Sequence, residues 1–167
     1  MGKLYEEARL WNTPSVGAYL LWKFTSGYCD THPTGDAPVA LLHFIAMPIL
    51  SSKRLLEPIS NRRANLQSYV RSFESKQDTD VLFSIHDRIK RSLDYTMTAI
   101  DIAISTGLLF WDIESGKLYS RKEIKRPQKI NALKTSFVRN GKKAEILGGW
   151  FSEHSISTVA TYLKVVL

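Results

Sequence analysis

The sequence has 167 residues, of which 44% are hydrophobic and 23% charged, and this is typical of one globular domain. Its one cysteine, Cys29, excludes a disulfide framework within the chain and a zinc site built from several cysteines. The net charge is +7, but residues 117–143 alone hold ten basic residues and one acid, a net +9 that leaves −2 for the other 140 residues. This distribution excludes a uniformly basic protein that coats nucleic acid, and it leaves a local basic patch for an anionic partner.

Apolar residues at helical spacing predict a mainly α-helical core over residues 12–107. Each predicted helix follows a residue that can cap it, or has proline in its first turn. The predicted helices begin near Asn12–Pro14, Asp36, Ser60 or Asn61, Asp78 and Asp94. The longest apolar run, residues 37–50, is too short to span a bilayer, and Glu6 and Glu7 lie where a signal peptide would be basic. We therefore expect a soluble, cytoplasmic protein.

Residues 108–122 predict a small β-hairpin, because a large apolar run is followed by a Glu-Ser-Gly turn and a second short strand. A helix, a glycine and a hairpin in this order resemble a winged-helix unit, whose helix before the wing would read DNA. Here that helix holds Asp94 and Asp101 and no Lys or Arg, so we expect the unit to contact protein. Residues 123–139 then predict a basic connection, and residues 140–167 predict C-terminal helices that pack back within a single domain.

The sequence shows no strong catalytic, cofactor-binding or metal-binding motif. The four histidines lack metal-ligand spacing, and His43 lies in an apolar helix, which predicts a buried core residue. One enzyme-like pattern remains, in which Asp112 and Glu123 offer oxygen ligands for Mg²⁺ and Lys125 offers charge to a scissile phosphate. Any basic segment with one glutamate produces this pattern, so a divalent-metal nuclease is our third hypothesis.

The basic segment is the main candidate contact surface, because clustered cations repel one another unless an anion lies nearby. Aromatic residues are sparse within it, which favours contact with phosphates or an acidic protein over base stacking. The predicted contact residues are Lys117, Arg121, Lys122, Lys125, Arg126, Lys129 and Lys134. A solvated loop is the alternative interpretation, and a weaker basic cluster occurs at Lys53, Arg54, Arg62 and Arg63.

Two of the four tryptophans are candidates for a protein interface. Trp22 and Trp111 lie among residues that are already apolar on both sides, so one of them can face a partner. A core position is the alternative for each.

Three stretches together resemble a known family. They are residues 11–22 (WNTPSVGAYLLW), residues 37–50 (APVALLHFIAMPIL), and Gly107–Leu109 with the hairpin and the closing residues 147–165 (LGGWFSEHSISTVATYLKV). In this order they are similar to the small middle components of bacterial ABC three-component systems, of which Lamassu-type anti-phage and anti-plasmid systems are the best-known relatives.

The resemblance implies a non-catalytic accessory subunit that needs no cofactor. Such a subunit would bridge an SMC- or Rad50-like ABC ATPase and an effector nuclease, and the ATPase would sense foreign DNA. The basic segment is not part of the resemblance, so an auxiliary DNA contact is expected from its charge alone. The first alternative is a stand-alone winged-helix DNA-binding regulator.

Overall fold

The computed structural model describes residues 13–61, 65–121 and 135–167 of the chain. In these ranges the protein is mainly α-helical with one two-stranded antiparallel sheet, which confirms the predicted fold class. The helices are α1 (Pro14–Thr31), α2 (Ala40–Leu50), α3 (Lys53–Leu56), α4 (Leu66–Ser75), α5 (Thr79–Arg91), α6 (Leu93–Ser105), α7 (Thr135–Ser152) and α8 (Ile156–Tyr162). The strands are β1 (Leu109–Asp112) and β2 (Lys117–Ser120).

Helix α1 lies at the centre and packs against α2, α6, α7 and β2. Proline at its first position fixes a helical backbone angle where the missing N–H removes no hydrogen bond. Its apolar residues point in several directions, and Leu20, Leu21 and Phe24 are all buried. A helix that is apolar around most of its circumference is covered on several sides, as the sequence predicts.

The third predicted helix starts later than the sequence suggests. It was expected from Ser60 or Asn61, whereas α4 begins at Leu66 and is capped by Asn65. Asn65 Oδ1 accepts a hydrogen bond from the Ser68 N–H at 2.9 Å, and Ser68 Oγ accepts one from the Asn65 N–H at 3.3 Å. This reciprocal pair satisfies two free N–H groups, which is why the helix is capped at Asn65.

Helix α6 leads into the hairpin through a sharp turn at Gly107. The Gly107 φ angle is +77°, a left-handed conformation that glycine adopts without steric cost. The Leu108 N–H then donates to the Ala103 carbonyl at 2.8 Å and closes the helix end. The predicted order of helix, glycine and hairpin is therefore present.

The hairpin is anchored to the segment between α1 and α2. Strand β1 pairs with β2 in the register Leu109↔Ser120, and on its other side β2 meets Pro38 and Val39. The Leu118 N–H donates to the Pro38 carbonyl at 3.0 Å. Leu109 and Leu118 point inward and are buried, so one face of the hairpin joins the helical core.

Helix α7 begins earlier than the sequence predicts. It begins at Thr135 rather than near Asn140, so the end of the predicted basic connection 123–139 is helical. It continues through Gly148 and Gly149, although glycine has a low helix propensity. Contact with α1 explains the difference, because Asn140, Gly141, Gly148 and Gly149 are all buried on the side of α7 that faces neighbouring helices.

Candidate functional site: basic and apolar surfaces

Lys117, the first residue of the predicted contact set, is paired within the protein. Its Nζ donates to Asp36 Oδ2 at 2.6 Å and ties β2 to the segment before α2. This hydrogen bond raises the pKa of Lys117 and lowers the pKa of Asp36. The charge of Lys117 is therefore paired with that of Asp36 within the protein. A partner that bound Lys117 would have to compete with this ion pair.

Arg121 follows β2 and is exposed at the end of the hairpin away from the turn. Its N–H donates to the Leu108 carbonyl at 3.2 Å, which fixes the backbone where the side chain leaves the sheet. The other predicted contacts, Lys122, Lys125, Arg126, Lys129 and Lys134, lie outside the described residues. Of the predicted contact set, the structure thus locates Lys117 and Arg121.

The structure describes one of the three residues of the nuclease hypothesis, Asp112. Asp112 accepts hydrogen bonds from Ser115 Oγ and from the Glu114 N–H, and the Ser115 hydrogen bond is the main cause of its lowered pKa. It therefore stabilises the hairpin turn. Its proposed partners Glu123 and Lys125 lie outside the described residues. Within the described ranges no three His, Cys, Asp or Glu side chains are grouped closely enough to hold a metal ion.

A second basic region forms where α7 meets α3. Lys143 on α7 donates to the Glu57 carbonyl at 2.6 Å and to the Leu56 carbonyl at 3.3 Å, at the C-terminal end of α3. Burial lowers the pKa of Lys143, and the positive charge of Arg139 one turn earlier lowers it further, against the opposing effect of Glu57. Lys143 thus holds the two helices together.

This contact brings together cations that are far apart in the sequence. We call the set Lys53, Arg54, Arg139 and Lys142 the composite basic surface, and all four residues are exposed. The sequence identified Lys53 and Arg54 as a separate weak cluster and could not relate them to the basic segment. The signal that could have joined them, the Lys143 side chain at the end of α3, exists only in the tertiary structure.

A cleft of about 410 Å³ borders this surface between α3, α4 and α5. Its walls combine buried apolar side chains with charged ones at the rim. They are Arg54, Glu57, Pro58, Ser72, Phe73, Lys76, Asp78 and Val81. Arg54 Nη2 lies 3.5 Å from Asp78 Oδ1, and both side chains are largely exposed. An exposed pair of this kind contributes little to stability, so Arg54 can exchange Asp78 for another anion.

Both tryptophans predicted at an interface are half-buried and pack against the core. Trp22 Nε1 is buried without a hydrogen-bond acceptor among the described residues, and Lys23 Nζ lies 4.7 Å from the centre of the Trp22 ring. Trp111 lies on the inner face of the hairpin, opposite Leu118. Their role at an interface stays a prediction, because no partner is present.

Other apolar side chains, which were not predicted at an interface, are more exposed than these tryptophans. On the hairpin, Phe110 is 52% exposed and Ile113 is 84% exposed. On α6, Leu93 is 45% exposed and Met97 is 55% exposed, one helical turn apart. Helical periodicity predicts Met97 on the inner face together with Ile100 and Ala103. Ile100 and Ala103 are buried as predicted, but Met97 is exposed, and Thr96 and Ala99 complete the buried face.

The outer face of α6 is both apolar and acidic. Asp94 and Asp101 are exposed there beside Leu93 and Met97, and the helix contains no Lys or Arg. A helix that binds DNA phosphates needs positive charge or donors on its outer face. The outer face of α6 therefore lacks the side chains that usually contact DNA phosphates.

The family model described as ABC-three component (ABC-3C) system Middle Component 3 matches residues 1–167. No curated protein and no solved structure gave a significant match to the chain. Within the described ranges no helix combines the length and the apolar character that a membrane crossing requires.

Proposed function

The chain belongs to the ABC-three component system Middle Component 3 family, and from this membership we propose that it acts as a non-catalytic adaptor. It would bridge an SMC/Rad50-like ABC ATPase and an effector nuclease in a bacterial anti-phage and anti-plasmid defence complex of Lamassu type. A middle component acts together with other proteins of its system. The proposal states which kinds of protein these partners are.

The outer face of α6 is the observation that carries the adaptor role. It occupies the position of a DNA-reading helix in front of a hairpin, yet it exposes Leu93 and Met97 beside Asp94 and Asp101. Interface cores are enriched in methionine and aromatic residues, and charged residues lie at their rims. An apolar pair with an acidic rim suits a partner surface of apolar residues flanked by Lys or Arg.

This surface also separates the adaptor from the stand-alone DNA-binding regulator. A regulator of that kind needs tight, sequence-selective binding by the isolated chain, and an acidic helix repels the phosphates that it would have to approach. Sub-micromolar, sequence-selective binding of the isolated chain to DNA would contradict the adaptor proposal.

Bridging is tested by co-expressing the chain with the ABC ATPase and the effector of its three-component system. Affinity capture of the ATPase is expected to recover the effector only when this chain is present. Recovery of the effector without this chain would contradict bridging. Loss of plasmid or phage protection on deleting the chain measures the biological effect of the same step.

The α6 surface is tested with the double variant Leu93→Lys and Met97→Lys. Because each lysine places charge in the proposed apolar contact, we expect at least tenfold weaker capture of one partner, an effect of more than about 1.4 kcal/mol. Phe83→Lys is the control, since Phe83 is an exposed apolar residue on the neighbouring helix α5. Equal capture by wild type and the double variant would place the interface elsewhere.

A further inference from the structure

We propose that the composite basic surface of Lys53, Arg54, Arg139 and Lys142 binds the phosphate backbone of double-stranded DNA. The inference deepens the proposed function, because it rests on an assembly that acts on DNA. It assigns the contact to two helices that the sequence left unrelated. Arg139 and Lys142 come from the end of the basic stretch 117–143, whereas Lys53 and Arg54 come from α3. Lys117, the first basic residue of that stretch, is paired with Asp36 instead.

Lys143 connects the two helices that carry this surface. Lys143 Nζ reaches two carbonyls at the end of α3, at 2.6 Å and 3.3 Å. Arg139 precedes Lys143 by one helical turn, and Lys53 precedes Glu57 by one turn, with the Glu57 N–H donating to the Lys53 carbonyl at 3.0 Å. Along its own helix, each pair of exposed cations therefore lies within about one helical turn of the residues that Lys143 connects.

The local charge is positive after the nearby acids are included. Glu57 is exposed beside Lys143, and Asp78 is the partner of Arg54 in the exposed pair at 3.5 Å. The lysine that holds the helices together adds to the positive charge, and so does Lys76 on the rim of the adjoining cleft. Cations at this density repel one another, and a polyanion removes that repulsion and releases counterions on binding.

The side chains present favour DNA over an acidic protein. Protein interfaces bury large apolar or aromatic anchors, whereas phosphate contacts are made by Lys and Arg without them. Leu55 and Leu56 of α3 are buried, which leaves Lys53 and Arg54 as the exposed residues of that helix. The described aromatic residues with more than half of their surface exposed, Phe83 and Phe110, lie on α5 and β1.

The test measures binding of the purified chain to a fluorescently labelled DNA duplex by anisotropy, from about 50 to about 200 mM salt. The double variant Lys53→Glu and Arg139→Glu is expected to bind at least tenfold more weakly at the lowest salt. The slope of log affinity against log salt should flatten by about two units, since two phosphate contacts are lost.

The matched control is the double variant Lys90→Glu and Arg91→Glu at the far end of α5. It changes the net charge equally, and both residues are exposed about 18 Å along the helix from Asp78. We expect its affinity to stay within about twofold of wild type. Thermal unfolding of each variant, with Lys53→Gln and Arg139→Gln as a milder pair, separates weaker binding from a folding defect.

Three outcomes would overturn the proposal: no binding of the wild-type chain to the duplex, equal losses in the two charge-reversed variants, and tighter binding of a polyglutamate peptide than of DNA. The third would identify an acidic protein as the partner. Bridging is measured separately by affinity capture of the ATPase, so the two proposals can fail independently.

Discussion

His43 is fully buried between α1 and α2, where its Nε2 shares a hydrogen bond of 2.8 Å with Thr25 Oγ1. The Phe24 ring packs against its edge, with ring centres 5.5 Å apart. The sequence predicted a core histidine at this position, and the structure confirms it. Burial disfavours the charged imidazolium and lowers the pKa from 6.5 to about 4.

This pKa predicts that acid destabilises the protein through His43. Because the pKa is lower in the folded state, the unfolded chain takes up the proton first as the pH falls. The folded state should lose about 3 kcal/mol between pH 6.5 and pH 4 from this residue. Urea unfolding at pH 7 and at pH 4.5 measures the loss, and His43→Leu should remove most of the difference. An unchanged pH dependence in His43→Leu would assign acid sensitivity to other groups.

Lys143 shows why a charged residue cannot be assigned to a partner from sequence. In the chain it is one of ten cations in residues 117–143, yet it donates to two main-chain carbonyls of α3. Lys117 is likewise paired, with Asp36. The sequence cannot distinguish a lysine that is bonded within the fold from one that faces solvent. The residues that accept its hydrogen bonds come from distant segments of the chain.

At the scale of elements, the packing of α1 on α7 depends on glycine. A Cβ atom on Gly148 would overlap the Phe24 carbonyl oxygen, and one on Gly27 would overlap the Glu145 carbonyl oxygen. The two backbones are thus in direct contact, and Lys23 and Glu145 close one side of the interface with a salt bridge of 3.2 Å. Helix α7 tolerates adjacent glycines because this packing outweighs their low helix propensity, about 1 kcal/mol each.

Gly148→Ala is therefore expected to destabilise the protein by about 3 kcal/mol, because backbone atoms cannot move aside as a flexible side chain can. The adjacent variant Gly149→Ala is the control. Its Cβ would meet Thr31 Oγ1 at 3.0 Å, a side-chain atom that can rotate away, so the change should stay within about 1 kcal/mol. Chemical denaturation compares the two, and similar losses would show that the helices separate to admit a methyl group.

For the elements, the sequence predicted the helical class, the hairpin and most helix starts, because capping residues and apolar periodicity act locally. It placed the starts of α2 and α4 too early, since α2 begins at Ala40 and not near Asp36, and it placed the start of α7 too late. The N-terminal part of α7 shows little apolar periodicity, and it is helical where Asn140 and Gly141 pack against other helices. Contacts between elements decided these boundaries.

At the scale of the whole molecule, the protein has two surfaces of different character. The outer face of α6 is apolar and acidic, whereas the composite basic surface lies at the junction of α3 and α7. A subunit with separate surfaces of opposite charge can contact a protein on one and DNA on the other. This arrangement supports the proposed adaptor role within a three-component system.

The basic segment is best tested in the assembled complex. Reversing Lys122, Lys125, Arg126 and Lys129 to Glu should weaken DNA binding by the complex and flatten its salt dependence by about one unit per lost contact. Arg121 and Lys117 remain unchanged in this variant, so the hairpin contacts stay intact. An unchanged affinity and an unchanged salt dependence would instead support the alternative interpretation, in which the segment is a solvated loop.

The sequence by itself determined the helical class, the hairpin, the buried histidine and the family resemblance, since each depends on residues close together in the chain. The tertiary structure alone decided which cations are free, which apolar side chains are exposed and which basic clusters meet. Contacts between segments that are distant in the sequence determine whether Lys117, Lys143 and Met97 are paired or exposed. Local spacing in the sequence does not identify those contacts. The net charge of +9 over residues 117–143 can therefore be read from the sequence. The surfaces on which these cations lie depend on the tertiary structure.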